Sequence, residues 1–270
     1  MQTEKKEKIK RTVREAYGKI ARSETSGCLP GSDTSCCDTR TFASDEVSSL
    51  IGYSSEEMAS VPEGSNLGLG CGNPVAIASI KEGETVVDLG SGGGFDCFLA
   101  AAHVGDTGRV IGVDMTPDMI SKARANAERA EVGNVEFRLG EIEHLPVADG
   151  TADIIISNCV INLSPDKGVV YREAFRVLKP GGRLSISDIL ATEPLPEEVR
   201  ENLALVSACI GGAATIEETK QALREEGFIN VSIRNQTVDR EAVMDLISAG
   251  IAETALNYVI SATIEAVKPE

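Results

Sequence analysis

Thr85-Val86-Val87-Asp88-Leu89-Gly90-Ser91-Gly92-Gly93-Gly94-Phe95-Asp96 is the stretch that decides the fold. A β-branched run ends in an acid, breaks into a glycine-rich turn, and continues into the alanine-rich segment 94–104. That order reads as a strand, a binding loop and a helix N-terminus. Glycine at 90 and 92 is expected to let the backbone come close to a bound molecule, because a side chain there would fill the ligand's space.

Downstream of this stretch the chain alternates strand and helix patterns. Strands are predicted at 85–89, 109–113, 135–139, 153–157 and 183–189. Between the second and third, Thr116 caps a helix with Pro117 at its first position and Asp118 in its first turn. Ile120, Ala123 and Ala127 are its buried stripe, and Gly133-Asn134 stops it. A further helix starts at Ser164-Pro165-Asp166 and runs to Leu178, and Lys179-Pro180-Gly181-Gly182 turns into the fifth strand. Such alternation predicts an α/β fold with a doubly wound, mostly parallel, Rossmann-like sheet. Its ligands belong at the carboxyl ends of the strands, beside the topological switch point.

On either side the pattern weakens. Residues 4–22 place Ile9, Val13, Tyr17 and Ile20 at helical spacing, a helix packed on the domain in which Tyr17 is free to face a ligand. Residues 23–45 are polar and hold Cys28, Cys36 and Cys37, and Cys71 sits among glycines in an irregular loop. Beyond 190, helices are predicted at 199–208 and 215–226, then strands at 228–233 and within 254–267. The chain thus divides into an N-terminal helix with Cys-containing loops (1–80), a Rossmann-like core (81–190) and a small C-terminal substrate-binding part that completes the sheet (191–270).

The 270 residues carry a net charge of −16. That balance argues against nucleic acid or an anionic membrane surface as partner. With no tryptophan and 4 % aromatics, stacking platforms for bases lack material. No apolar run reaches membrane-spanning length and the N-terminus has no apolar signal core, so a cytoplasmic protein is expected. The seven cysteines are an odd number, which disfavours a disulfide framework and suggests thiol chemistry or soft-ion binding.

The glycine loop departs from the dinucleotide pattern G-x-G-x-x-G, since its third glycine comes one residue early at Gly94. Asp88 favours a cationic group over a pyrophosphate. S-adenosylmethionine carries an ammonium and a sulfonium and no phosphate. Asp114, closing the second strand, is placed to accept both ribose hydroxyls. The segment 85–190 resembles the cofactor module of class I S-adenosylmethionine methyltransferases. The resemblance implies a cofactor set of Tyr17, Asp88, Gly90, Ser91, Gly92, Asp114, Met115, Glu141, Ile142 and Asn158. Within it Glu141 would accept from the adenine amine and the Ile142 backbone would face the ring edge.

Gly70-Cys71-Gly72, Ser157-Asn158-Cys159-Val160-Ile161-Asn162-Leu163 with Pro165-Asp166-Lys167, Cys209-Ile210-Gly211-Gly212-Ala213 and Tyr17-Gly18-Lys19 together sharpen this. Over about 10–230 the chain resembles arsenite S-adenosylmethionine methyltransferases. That resemblance implies that Cys71, Cys159 and Cys209 bind trivalent arsenic beside the methyl donor. It also implies that an N-terminal cysteine joins a thiol relay, a place for which Cys28, Cys36 and Cys37 compete. Cys97 is read as a core residue. The chemistry agrees: trivalent arsenic is soft and thiophilic, its lone pair can attack a sulfonium methyl, and no general base is required. Methylation oxidises arsenic formally, so thiols such as Cys36 and Cys37 would supply electrons by disulfide formation. Thioredoxin or glutathione would restore them. Two alternatives stand beside this reading. One is a C- or O-methyltransferase of a small metabolite such as a quinone precursor, which would want a proton-abstracting His or Tyr near the fourth strand. The other is a non-enzymatic soft-metal binder, which would favour C-x-x-C knuckles.

Overall fold

A computed structural model describes residues 2–22, 44–235 and 257–270. In chain order the elements are α1 (Gln2–Arg22), α2 (Ser44–Leu50), α3 (Ser55–Ser60), α4 (Pro74–Ile77), β1 (Thr85–Leu89), α5 (Phe95–Val104), β2 (Arg109–Asp114) and α6 (Pro117–Arg129). They continue with β3 (Val135–Leu139), β4 (Ala152–Asn158), α7 (Lys167–Val177), β5 (Leu178–Ala191), α8 (Glu197–Glu201), α9 (Leu203–Ser207), α10 (Ile216–Glu225), β6 (Ile229–Asn235) and β7 (Val259–Val267). The strands form one sheet in the order β3-β2-β1-β4-β5-β7-β6. The first five are parallel, and β7 runs antiparallel between β5 and β6. The order reverses between β1 and β4, the crevice where a doubly wound sheet takes its ligand.

Alternation along the strands builds two cores. Val87, Leu89, Ile111 and Ile155 face α7 and α10 through Tyr171, Ala174 and Leu223. Val86, Val110, Ile154 and Ile156 face α5 and α6 through Phe98, Leu99, Ile120 and Ala123. The period-2 pattern of TVVDL therefore sends Asp88 to the α5 side, at the strand's carboxyl end.

Three local expectations are modified. The helix predicted at 199–208 is two short helices, because the Asn202 side chain accepts from the N–H groups of Ala204 and Leu205 and starts a new one. The turn at 179–182 is absorbed into β5, where the register against β4 shifts. Thr116 occupies the N-cap of α6 but its side chain makes no capping bond to the helix; its N–H and hydroxyl are spent on Asp114. Among the described residues no helix is long and apolar enough to cross a membrane.

Candidate active site

The floor of the site is the loop after β1. Gly90 and Ser91 donate their N–H groups to the Val113 carbonyl at 2.7 and 3.0 Å, which pins the loop to β2. The two glycines differ in their reasons. Gly90 has φ +75°, and a Cβ there would lie 2.4 Å from Val160, so protein packing requires it. A Cβ at Gly92 would meet nothing within 4 Å, which leaves open space in front of the loop.

Three carboxylates flank this loop in sequence or by hydrogen bond. Asp88 and Asp96 are buried and Asp114 is half-buried. Burial pushes all three above the usual carboxylate range, and for Asp88 the neighbouring Asp96 adds to it. No lysine or arginine among the described residues pairs with any of them. Asp88 accepts one bond, from the Cys97 thiol at 3.2 Å, so Cys97 is buried as expected but also orients the acid. Asp114 accepts from the N–H groups of Gly92 (3.0 Å) and Thr116 (2.7 Å). The Ser91 hydroxyl is buried with no partner. Acids without a basic partner, an orphaned hydroxyl and an open cradle fit a ligand that brings positive charge and acceptors, as S-adenosylmethionine does.

The remaining expected cofactor residues are placed as follows. Glu141 is engaged by α1: Lys10 donates to one carboxylate oxygen at 2.7 Å and Arg14 to the other at 3.3 Å. The Lys10 bond holds its carboxyl below the usual range. Ile142 is buried in the sheet core. Tyr17 and Met115 pack together with Val13, Leu163 and Cys209. The Tyr17 hydroxyl donates to the Ser207 carbonyl at 3.4 Å and lies against the Cys209 thiol. Asn158 reaches the other way, into the Cys71 loop: its Oδ1 accepts the Cys71 N–H at 3.0 Å.

The thiols gather at the ends of β4 and β5. Cys71 and Cys159, 88 residues apart in sequence, are joined as a disulfide with Cα atoms 5.8 Å apart. The Cys159 N–H donates to the Ser187 carbonyl at 2.8 Å. Cys209 is buried, and its thiol donates to the Cys159 carbonyl at 2.7 Å. Burial, with Asp188 nearby, raises its pKa. Both Cys159 (φ 58°) and Cys209 (φ 63°) hold left-handed backbone, uncommon for residues with a Cβ and concentrated at functional sites. Cys28, Cys36 and Cys37 lie outside the described residues.

The sequence reading groups three thiols. In the structure the ligand atoms lying mutually within 4.8 Å belong to Cys71, Cys159 and Asp188, while Cys209 turns to a backbone carbonyl. Asp188, in the carboxyl-terminal half of β5, accepts from the N–H groups of Ile161 (3.1 Å) and Ile189 (2.8 Å) and from Asn162 Nδ2 (2.8 Å). Burial pushes its carboxyl up to about 7 against these bonds. Sequence reasoning missed Asp188, Asp96 and Tyr53. Asp188 had a signal: like Asp88 and Asp114, it is an acid in the last residues of an apolar strand.

A family model described as "Methyltransferase domain" matches residues 80–238. The arsenite methyltransferase of Halobacterium salinarum is 48 % identical over 269 residues, covering 97 % of this chain and 67 % of that protein. That of Aquipseudomonas alcaligenes is 40 % identical over 225 residues, covering 80 % of this chain and 61 % of that protein. The chain thus spans about two thirds or less of the length of these relatives. Among solved structures, an arsenic(III) S-adenosylmethionine methyltransferase from Chlamydomonas reinhardtii matches with TM-score 0.62 and 32 % identity, over 84 % of this chain and 73 % of that one. On this identity and coverage, and with the matched methyltransferase domain, the chain belongs to the arsenite methyltransferase family of S-adenosylmethionine-dependent enzymes.

Proposed function

We propose that this chain transfers methyl groups from S-adenosylmethionine to trivalent arsenic held by cysteine thiolates. The observation that carries this is the meeting of Cys71 and Cys159 at the carboxyl end of β4, beside the carboxylate-lined crevice.

S-adenosylmethionine, when bound, supplies an electrophilic methyl group on a sulfonium. Asp88 and Asp96 would face its cationic part, and Asp114 its ribose hydroxyls. Glu141 and Ile142 would border the adenine, with α1 latched over them through Lys10 and Arg14. Reduced Cys71 and Cys159 displace hydroxide from arsenite, releasing water as their protons leave, and Cys209 is adjacent for a third exchange. Soft thiolates hold the arsenic and leave its lone pair free to attack. The protein contributes proximity and orientation, and no proton need be removed from arsenic. Methylation formally oxidises arsenic to the pentavalent state, and its return to the trivalent state takes two electrons from thiols, which close to a disulfide. The Cys71–Cys159 disulfide is a form such a step would leave, and thioredoxin or glutathione would reopen it. A reducing compartment, the cytoplasm, suits this cycle.

Purified protein incubated with arsenite, S-adenosylmethionine and thiol is expected to release methylated arsenic. Separating the mono-, di- and trimethylated species would give the number of transfers. No methylated product under reducing conditions would sink the reading. Asp114→Ala is expected to weaken cofactor binding by about 1.5–3 kcal/mol through lost charge-assisted hydrogen bonds. Calorimetry that finds unchanged affinity would put the ribose elsewhere.

A further inference from the structure

Tyr53 lies outside both ligand sites, yet its hydroxyl stands between them. It is buried at 3 % exposure, so its phenol must find partners inside the protein. It donates to Asp96 Oδ1 at 2.5 Å and accepts from Asn158 Nδ2 at 2.9 Å. Asn158 Nδ2 also reaches Asp96 Oδ2 at 3.2 Å and the Gly72 carbonyl at 2.8 Å. Its Oδ1 accepts the Cys71 N–H at 3.0 Å. One amide therefore holds the backbone on both sides of the Cys71 side chain. The loop is pressed onto it: at Gly70, with φ +126°, a Cβ would lie 2.7 Å from Asn158 Nδ2.

We propose that Tyr53 is a positioning residue that couples methyl-donor binding to the placement of the Cys71 thiol, through the hydrogen-bonded chain Asp96–Tyr53–Asn158–Cys71. The inference rests on the arsenic-binding reading of Cys71. Its physical basis is the charge of the crevice. An ionised Asp96 accepts from both Tyr53 and Asn158, whereas a protonated one gives up part of that acceptance. Burial works against ionisation, and a cationic ligand among Asp88, Asp96 and Asp114 works for it. The donor in its crevice thus holds the amide, and with it Cys71, in the gathered arrangement. By linkage, bound arsenic strengthens donor binding by the same factor.

The test measures arsenite affinity of the reduced protein by equilibrium dialysis, with and without sinefungin, a nucleoside whose protonated amine stands in for the methylsulfonium and which transfers no methyl group. Wild type is expected to bind arsenite roughly tenfold more tightly when the nucleoside is present, within the usual range of coupling between sites. Tyr53→Phe, which removes only the hydroxyl, is expected to bring that ratio close to one while nucleoside affinity stays within about twofold of wild type. A Tyr53→Phe protein that keeps the wild-type ratio would overturn the proposal. Should Tyr53→Phe fail to fold by circular dichroism, Asp96→Asn serves instead, measured at nucleoside concentrations that saturate that variant, with the same loss of ratio expected and a retained ratio overturning it. A second readout needs no arsenic: iodoacetamide labelling of reduced protein followed by mass spectrometry. Tyr53→Phe should speed alkylation of Cys71 at least fivefold relative to Cys209. Equal relative rates in the two proteins would refute the coupling even if arsenite proves not to be the substrate; arsenite binding to neither protein would refute the functional reading instead.

Discussion

Cys159→Ser is expected to abolish arsenic methylation, by at least roughly a thousandfold, while cofactor affinity stays within a few-fold of wild type. The loss follows from two properties of the position. A serine hydroxyl is a hard, weakly acidic ligand and does not compete for a soft centre as a thiolate does. Its oxygen also cannot form the bond to Cys71 seen here. Positioning of reacting groups supplies many orders of magnitude in such reactions, so losing one of two gathered ligands removes far more than one contact. The cofactor side should stay intact because Asp88, Asp96 and Asp114 belong to β1, α5 and β2. The Cys159 N–H bond to Ser187 does not depend on the side chain. Calorimetry with S-adenosylhomocysteine and a single-turnover assay would check both halves. A fully active Cys159→Ser protein would remove Cys159 from the mechanism.

Gly212→Ala is expected to lower both stability and activity. A Cβ at this position would sit 2.0 Å from the Asn162 carbonyl oxygen, a backbone atom that cannot swing aside. Overpacking of this kind costs about 1–3 kcal/mol, sometimes more. At this chain length that lowers Tm by roughly 2–4 °C per kcal/mol. The alternative to absorbing the clash is to move the turn after α9 away from the residues that follow β4. That movement would draw Cys209 off the Cys159 carbonyl and disturb Asn162, which bonds Asp188. A displacement near one ångström at reacting groups costs about a hundredfold in rate. Thermal unfolding and initial rates test this. Wild-type values for both would mean that the Cys209 turn is free to shift without consequence.

How far the sequence could be read follows from which interactions are local. The strand, loop and helix of 85–104 are legible because β-branched residues, glycines and alanines each report on their own neighbourhood. Asp114 is legible for the same reason, as the acid that ends a periodic run. The break at Asn202 was not, because a capping asparagine in a polar stretch looks like any surface residue until its side chain meets the N–H groups ahead of it. A second reason for Gly90 is not legible: its neighbour is Val160, 70 residues on, and only the pairing of β1 with β4 brings them together. Asp188 meets the thiols for a similar reason, since β5 lies beside β4 in the sheet. Tyr53 is 105 residues from Asn158 in sequence, and no local pattern marks it.

The left-handed backbone at Cys159 and Cys209 bears on how this protein would respond to engineering. At such φ values glycine or asparagine is the more comfortable residue. At Cys209, which forms no disulfide, a redesign that ranked substitutions by fold stability alone would therefore favour replacement, and under the proposed function it would yield a sturdier and less active protein. Ser79 and Glu131 hold similar backbone, so a stability screen across these positions that loses methylation only at the cysteines would reveal the site without any knowledge of its substrate.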